Sequence, residues 1–181
     1  YVTATYTTDL DGSLESREEV GGLGLRFMDR SSLDLTYTRS FERLAEPFRI
    51  RDGTAIPVGD YTFAQSQVRY RSSQGKALSG NASFGGGDFY DGSRYTVRAG
   101  ARWQPDHHLV LDLDAVHNSV TVQDTSFNAD LYSARVQYAW DTRLSFSGFV
   151  QYNADADEVV TNLRAAFIHA PLSDLFVLYT E

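Results

Sequence analysis

The sequence predicts an all-β fold, an antiparallel up-and-down transmembrane β-barrel of the outer-membrane type with about eleven strands. Three observations predict it. Apolar and polar residues alternate in short stretches along the whole chain, connections alternate between short and long, and aromatic residues gather at both ends of the apolar face.

Alternation comes first because successive side chains of a strand point to opposite faces. Leu109 to Val116 is the clearest stretch, with Leu109, Leu111, Leu113 and Ala115 on one face and Asp112 and Asp114 on the other. Tyr132, Ala134, Val136, Tyr138 and Trp140 repeat the scheme against Ser133, Arg135 and Gln137, and Leu144, Phe146, Gly148, Val150 and Tyr152 repeat it again. Upstream, Leu33, Leu35 and Tyr37 oppose Asp34, Thr36 and Thr38, and Tyr95, Val97, Ala99, Ala101 and Trp103 oppose Thr96, Arg98 and Arg102.

The connections come second. Short turns are expected near Asp29 to Ser32, Ser73 to Lys76, Pro105 to His108, Trp140 to Arg143 and Pro171 to Asp174. Long polar loops are expected from Asp9 to Gly21, Arg43 to Asp60, Gly85 to Ser93, His117 to Phe127 and Asn153 to Glu158. Such asymmetry marks outer-membrane barrels.

Aromatic placement comes third. Trp103, Tyr138 and Trp140 precede short turns, while Tyr6, Tyr37, Tyr95 and Tyr152 lie near long loops. Together they read as two interfacial girdles. Each ring alone fits cross-strand packing equally well.

Composition agrees. The 181 residues are 42% hydrophobic and 13% aromatic, with eleven Tyr, eleven Phe and Met28 as the single methionine, a balance that favours strands. No apolar run reaches the roughly 18 residues of a spanning helix. Without cysteine there is neither a disulfide framework nor a thiolate metal site. The net charge of −8 has its acids gathered in Asp9 to Glu19, Asp88 to Asp91 and Asp155 to Glu158, not the basic face of a nucleic-acid binder. Residues 1–181 read as a single barrel domain, incomplete. Tyr1 to Thr8 alternate like a strand and show no export signal, which is expected upstream. Thr180-Glu181 falls inside a strand starting at Leu175, and the strand number is odd, so at least one closing strand is expected beyond it.

In this barrel Arg26, Asp34, Arg69, Arg71, Arg98, Arg102, Asp112, Asp114, Arg135 and Arg164 line the lumen, joined by Gln65, Gln67, Asn81, Gln137 and Asn162. Read structurally, arginines and acids on neighbouring strands pair and stiffen the wall. Read functionally, an arginine ladder lines a path for anionic or sugar solutes. The structural reading is the stronger, because nearby acids can neutralise most of the ladder.

Catalytic and metal constellations are thin. His117-Asn118-Ser119 offers a base and a hydroxyl in an outer loop, but nucleophile, base and an orienting group must meet in space. His107 and His108 should point apart in a tight turn, and His169 reads as an interfacial ring. Asp9-Leu10-Asp11-Gly12-Ser13 starts like a calcium loop, yet the closing acid would fall at Val20. Asp155-Ala156-Asp157-Glu158 reads as a solvated loop, with loose divalent-ion binding as the alternative. Gly85-Gly86-Gly87 reads as a turn or bulge. No catalytic residue, metal ligand or cofactor site is assigned.

Phe149-Val150-Gln151-Tyr152-Asn153, Thr161-Asn162-Leu163-Arg164 and Asp174-Leu175-Phe176-Val177-Leu178-Tyr179-Thr180-Glu181 resemble the C-terminal region of a family of uncharacterised bacterial outer-membrane proteins that carry a carbohydrate-binding family 9-like domain ahead of a barrel. The resemblance implies a sugar-binding-like domain upstream and one further closing strand. It carries over no site residue.

The leading expectation is therefore a non-enzymatic barrel of the bacterial outer membrane, acting as a pore or as the membrane platform of a glycan-binding module. Its expected partners are outer-membrane lipid, lipopolysaccharide and glycans, with no nucleic acid. Two alternatives stand beside it: a barrel-embedded hydrolase acting on lipid or glycan at the outer lip through His117, Ser119 and an acid, and a soluble all-β binding protein.

Overall fold

The computed structural model describes residues 1–51, 53–123, 125–170 and 173–181. Its strands are β1 (Val2–Thr8), β2 (Leu14–Arg26), β3 (Ser32–Leu44), β4 (Phe48–Arg51), β5 (Thr54–Ile56), β6 (Gly59–Arg71), β7 (Leu78–Phe89), β8 (Gly92–Trp103), β9 (Leu109–Val122), β10 (Thr125–Ala139), β11 (Leu144–Asn153), β12 (Glu158–Ala170) and β13 (Ser173–Thr180). The chain is all-β. Eleven strands form one antiparallel sheet in which each follows its predecessor, apart from β4 and β5, which pair with each other between β3 and β6.

Register aligns like with like, as a sheet with two chemically different faces requires. Leu23, Leu35, Val68, Phe84 and Val97 form one row across five strands of the outer face. One residue along, Gly22, Thr36, Gln67, Gly85, Thr96 and Asn118 form a row on the inner face. One cavity on that inner face is lined from β3, β6, β7, β8 and β9 together, so the polar face is the concave one.

The expected barrel does not close. β1 has β2 as its neighbour and β13 has β12, and among the described residues the two outermost strands do not pair. An open sheet has no lumen, so the pore and porin-like readings are overturned, and so is the membrane platform. The outer-membrane localisation falls with them, because it rested on a closed wall. Edge strands leave backbone N–H and C=O groups that hydrocarbon does not satisfy. No helix among the described residues is long and apolar enough to cross a membrane.

The alternation of short and long connections is corrected too. Most of the expected long loops are strand: β2 begins at Leu14, β7 and β8 are joined through 90–91, β9 continues to Val122, and β11 joins β12 through 154–157. The opposite connections, 27–31, 72–77, 104–108 and 140–143, are of much the same length, and the one connection that stays distinctly long among the described residues is that between β3 and β6, which holds the β4–β5 hairpin. Polar side chains and glycines at these strand ends leave the backbone ladder intact, so pairing outlasts the alternation that announced it. Pro171, in the last expected turn, lies outside the described residues.

The core sits where the notional longest loop folds inward. The β4–β5 hairpin lays Ile56 against Val120 and Val122 of β9, with Ile56 and Val122 fully buried. Leu44, Ile50, Tyr61, Phe89, Tyr90 and Phe127 pack around them. At this end the inner face changes from polar to apolar. Tyr90 anchors the junction: its hydroxyl donates to Glu42 at 2.6 Å, and its ring stands edge-on to Tyr61 and Phe89.

Candidate functional site: a polar trough

All ten residues expected to line a lumen do lie on the inner face, which is an open trough. Arg26 and Arg71 flank Ser32, Asp34 lies opposite Arg69, Arg98 is opposite Ser83, and Arg164 is opposite Ser147. Asp112 sits between Arg102 and Arg135, and Asp114 between Gly100 and Ser133.

Neutralisation by acids is rarer than the sequence suggests. Among the described residues one ion pair forms on the trough floor, Arg102 Nε to Asp112 Oδ1 at 3.3 Å. Asp34 and Arg69 face each other across β3 and β6 without pairing, and Arg69 donates instead to Gln67 Oε1 at 3.1 Å. Two other arginines lie over aromatic rings, Arg135 over Phe149 at 5.2 Å and Arg164 over Phe176 at 4.4 Å. A guanidinium over a ring keeps its full charge and its in-plane donors free.

The trough holds several cavities, two of which adjoin near its middle. The central one, about 300 Å³, brings Asn81, Arg102, Asp112, Asp114, Ser133 and Arg135 together. Gly100 leaves room there: a Cβ at this position would lie 2.6 Å from Asp114 Oδ1 and 2.7 Å from Asn81 Nδ2, and those side-chain ends would have to swing aside. The second, about 240 Å³, lies toward the hairpin and is lined by Gln65, Gln67, Arg94, Thr96, Arg98 and Asn118, among others.

Arg94 was missed in the sequence because it borders an expected loop, although period two continues from Arg98 through Thr96 to it. Its Nη2 donates to Gln65 Oε1 at 2.8 Å and its guanidinium lies 4.7 Å from the Phe89 ring centre. Burial and the charge of Arg98 both lower its affinity for its proton.

The remaining candidates fall elsewhere. Tyr6, Tyr37, Tyr95, Trp103, Tyr138, Trp140 and Tyr152 are exposed on the outer face or at its end, where Tyr138 and Trp140 meet edge-on with ring centres 6.4 Å apart. His117 lies in β9 on that outer face, not in a loop, and its Nδ1 is 2.5 Å from Asp130 Oδ1. A base and an orienting acid thus meet, but among the described residues Ser119 has no hydrogen bond to His117, and the nucleophile stands apart. His107 and His108 do not point apart: their ring centres are 3.9 Å from each other. Asp155 of the acidic loop pairs with Arg51 of the hairpin at 3.0 Å. Gly85-Gly86-Gly87 is neither turn nor loop but part of β7, with Gly87 at a φ of 151° that only glycine adopts readily.

Compared with protein-family models, with characterised proteins and with solved structures, the chain matches none. The resemblance of its last third to the barrel region behind a carbohydrate-binding family 9-like domain therefore rests on those residues alone.

Proposed function

We propose that this chain is a binding protein whose concave face holds a hydroxyl-rich ligand, an oligosaccharide. One observation carries the reading: two adjoining cavities on that face are lined by amide, hydroxyl, guanidinium and carboxylate groups drawn from successive strands. Sugars present donors and acceptors in close alternation, and side chains that offer both match them. Strands are a rigid scaffold for such groups, since each is held by ladders on both sides. The gap between β1 and β13 leaves the trough open along one side, which suits an extended chain rather than a small enclosed molecule.

Isothermal titration calorimetry with neutral and acidic oligosaccharides tests this. Saturable binding that weakens in Asn81→Ala and Ser133→Ala, two changes within the central cavity, is the expected result. Absence of binding across the panel, with the folded chain confirmed by circular dichroism, overturns it.

A further inference from the structure

The two cavities differ in one respect: the central cavity balances its arginines with Asp112 and Asp114, and the one beside the hairpin holds no acid. Arg94 and Arg98 both reach it from β8, and among the described residues neither forms an ion pair within 4.0 Å. Two like charges facing one half-buried space repel each other, and the arrangement is relieved by a bound anion.

The surroundings are built to present these groups. Gln65 donates through Nε2 to Asp88 O at 3.0 Å, which turns its Oε1 toward Arg94 and fixes that guanidinium between Gln65 and the Phe89 ring. Gly85 lies between Gln67 and Thr96, and Gly87 between Gln65 and Arg94. The glycine run, which the function proposed above leaves without a role, thus supplies a floor with no side chains on it. Thr96 and Asn118 satisfy each other at 2.8 Å. Unpaired charge in this cavity is therefore cationic.

We infer that Arg94 and Arg98 form an oxyanion subsite, the seat of a carboxylate, sulfate or phosphate group carried by the ligand. The identification of that ligand as a glycan rests on the proposed function, while the subsite itself does not. Guanidinium forks match planar and tetrahedral oxyanions, and such bonds are stronger than neutral ones.

The probe is inorganic phosphate, titrated at constant ionic strength while the arginine Nε–H resonances are followed by NMR. Saturable shifts confined to Arg94 and Arg98 are expected, with affinity reduced about tenfold in R98Q, equivalent to roughly 1.4 kcal/mol. R26Q, at the far end of the trough, should bind as the parent does. G85V fills the floor from a position where a Cβ meets only ordinary contacts, 3.4 Å and beyond, and should also abolish the shifts. No saturable shift, or equal weakening in R26Q and R98Q, overturns the subsite. Phosphate binding without any oligosaccharide binding supports the subsite and removes the glycan reading. Oligosaccharide binding without phosphate binding does the reverse.

Discussion

Arg51 Nη2 lies 3.0 Å from Asp155 Oδ1 and ties the β4–β5 hairpin to the turn between β11 and β12. The hairpin leaves the sheet between β3 and β6, so this pair reaches past five intervening strands, β6 to β10, and closes a strap over one end of the trough. Arg51 also lies over the Phe127 ring at 5.3 Å, so the strap is held by charge and by packing.

Severing that strap should loosen the hairpin and leave the sheet intact. The two side chains are 44% and 35% exposed, so their pair contributes at most about 1 kcal/mol. In Asp155→Ala, hydrogen exchange should speed up in residues 48–56 while the urea midpoint of the whole chain barely moves. Unchanged exchange in the hairpin would show that the pair does not restrain it.

Ile56 is a different matter, because it has no solvent exposure and holds the hairpin against Val120 and Val122. Ile56→Ala should lower unfolding stability by about 2–5 kcal/mol, the usual result of emptying a buried aliphatic site. Chemical denaturation measures it. A loss below about 0.5 kcal/mol would mean that the hairpin is not part of the folded core.

Three turns at the opposite end of the sheet share one device. Asp106 Oδ1 accepts from the backbone N–H groups of His108 and Leu109, Asp141 Oδ1 from those of Arg143 and Leu144, and Asp29 Oδ1 from Ser31, both hydroxyl and N–H. These bonds hold all three carboxyls below the usual carboxylate range. The folded chain thus releases these protons more readily than the unfolded one. The stability they add is in place above about pH 4 and is lost as the pH falls through their lowered values. Replacing all three by Asn keeps an acceptor and removes the titration, so the variant's denaturation midpoint should fall less steeply between about pH 4 and about pH 2. Parallel curves for variant and parent would exclude these carboxylates as the acid-sensitive groups.

The outer face predicts behaviour in solution. Leu23, Val68, Phe84, Val97, Val136, Val150 and Leu163 are all at least two-fifths exposed there, and contiguous apolar surface of this kind does not stay uncovered. In detergent-free buffer the chain should bind an apolar dye and self-associate with rising concentration, and a mild detergent should reverse both. Sedimentation velocity and dye fluorescence give the answer. A monodisperse chain that binds no dye would mean that this face is covered from within.

Much of the molecule was legible in its residues. The alternation of Leu109, Leu111, Leu113 and Ala115 with Asp112 and Asp114 located β9 and assigned its faces, because side-chain alternation is a local property of any strand. The same logic put the arginines on one face. It ran short at strand ends, where the period continues through residues typical of loops: Arg94, Phe89, Val120 and Phe127 were hidden in this way.

What the sequence determined by itself was therefore strand content, strand direction and the chemistry of each face, all set by neighbours in the chain. Tertiary structure decided the rest. The sheet stays open because β1 and β13 do not meet, and meeting depends on curvature and register accumulated over eleven strands. Ile50 and Ile56 became core because a hairpin read as loop folds onto β9. Which arginines are neutralised was settled at single ångströms: Arg102 reaches Asp112, while Arg69 turns to Gln67. Charge pairing depends on side-chain direction across the ladder, and a pattern along one strand carries no information about that.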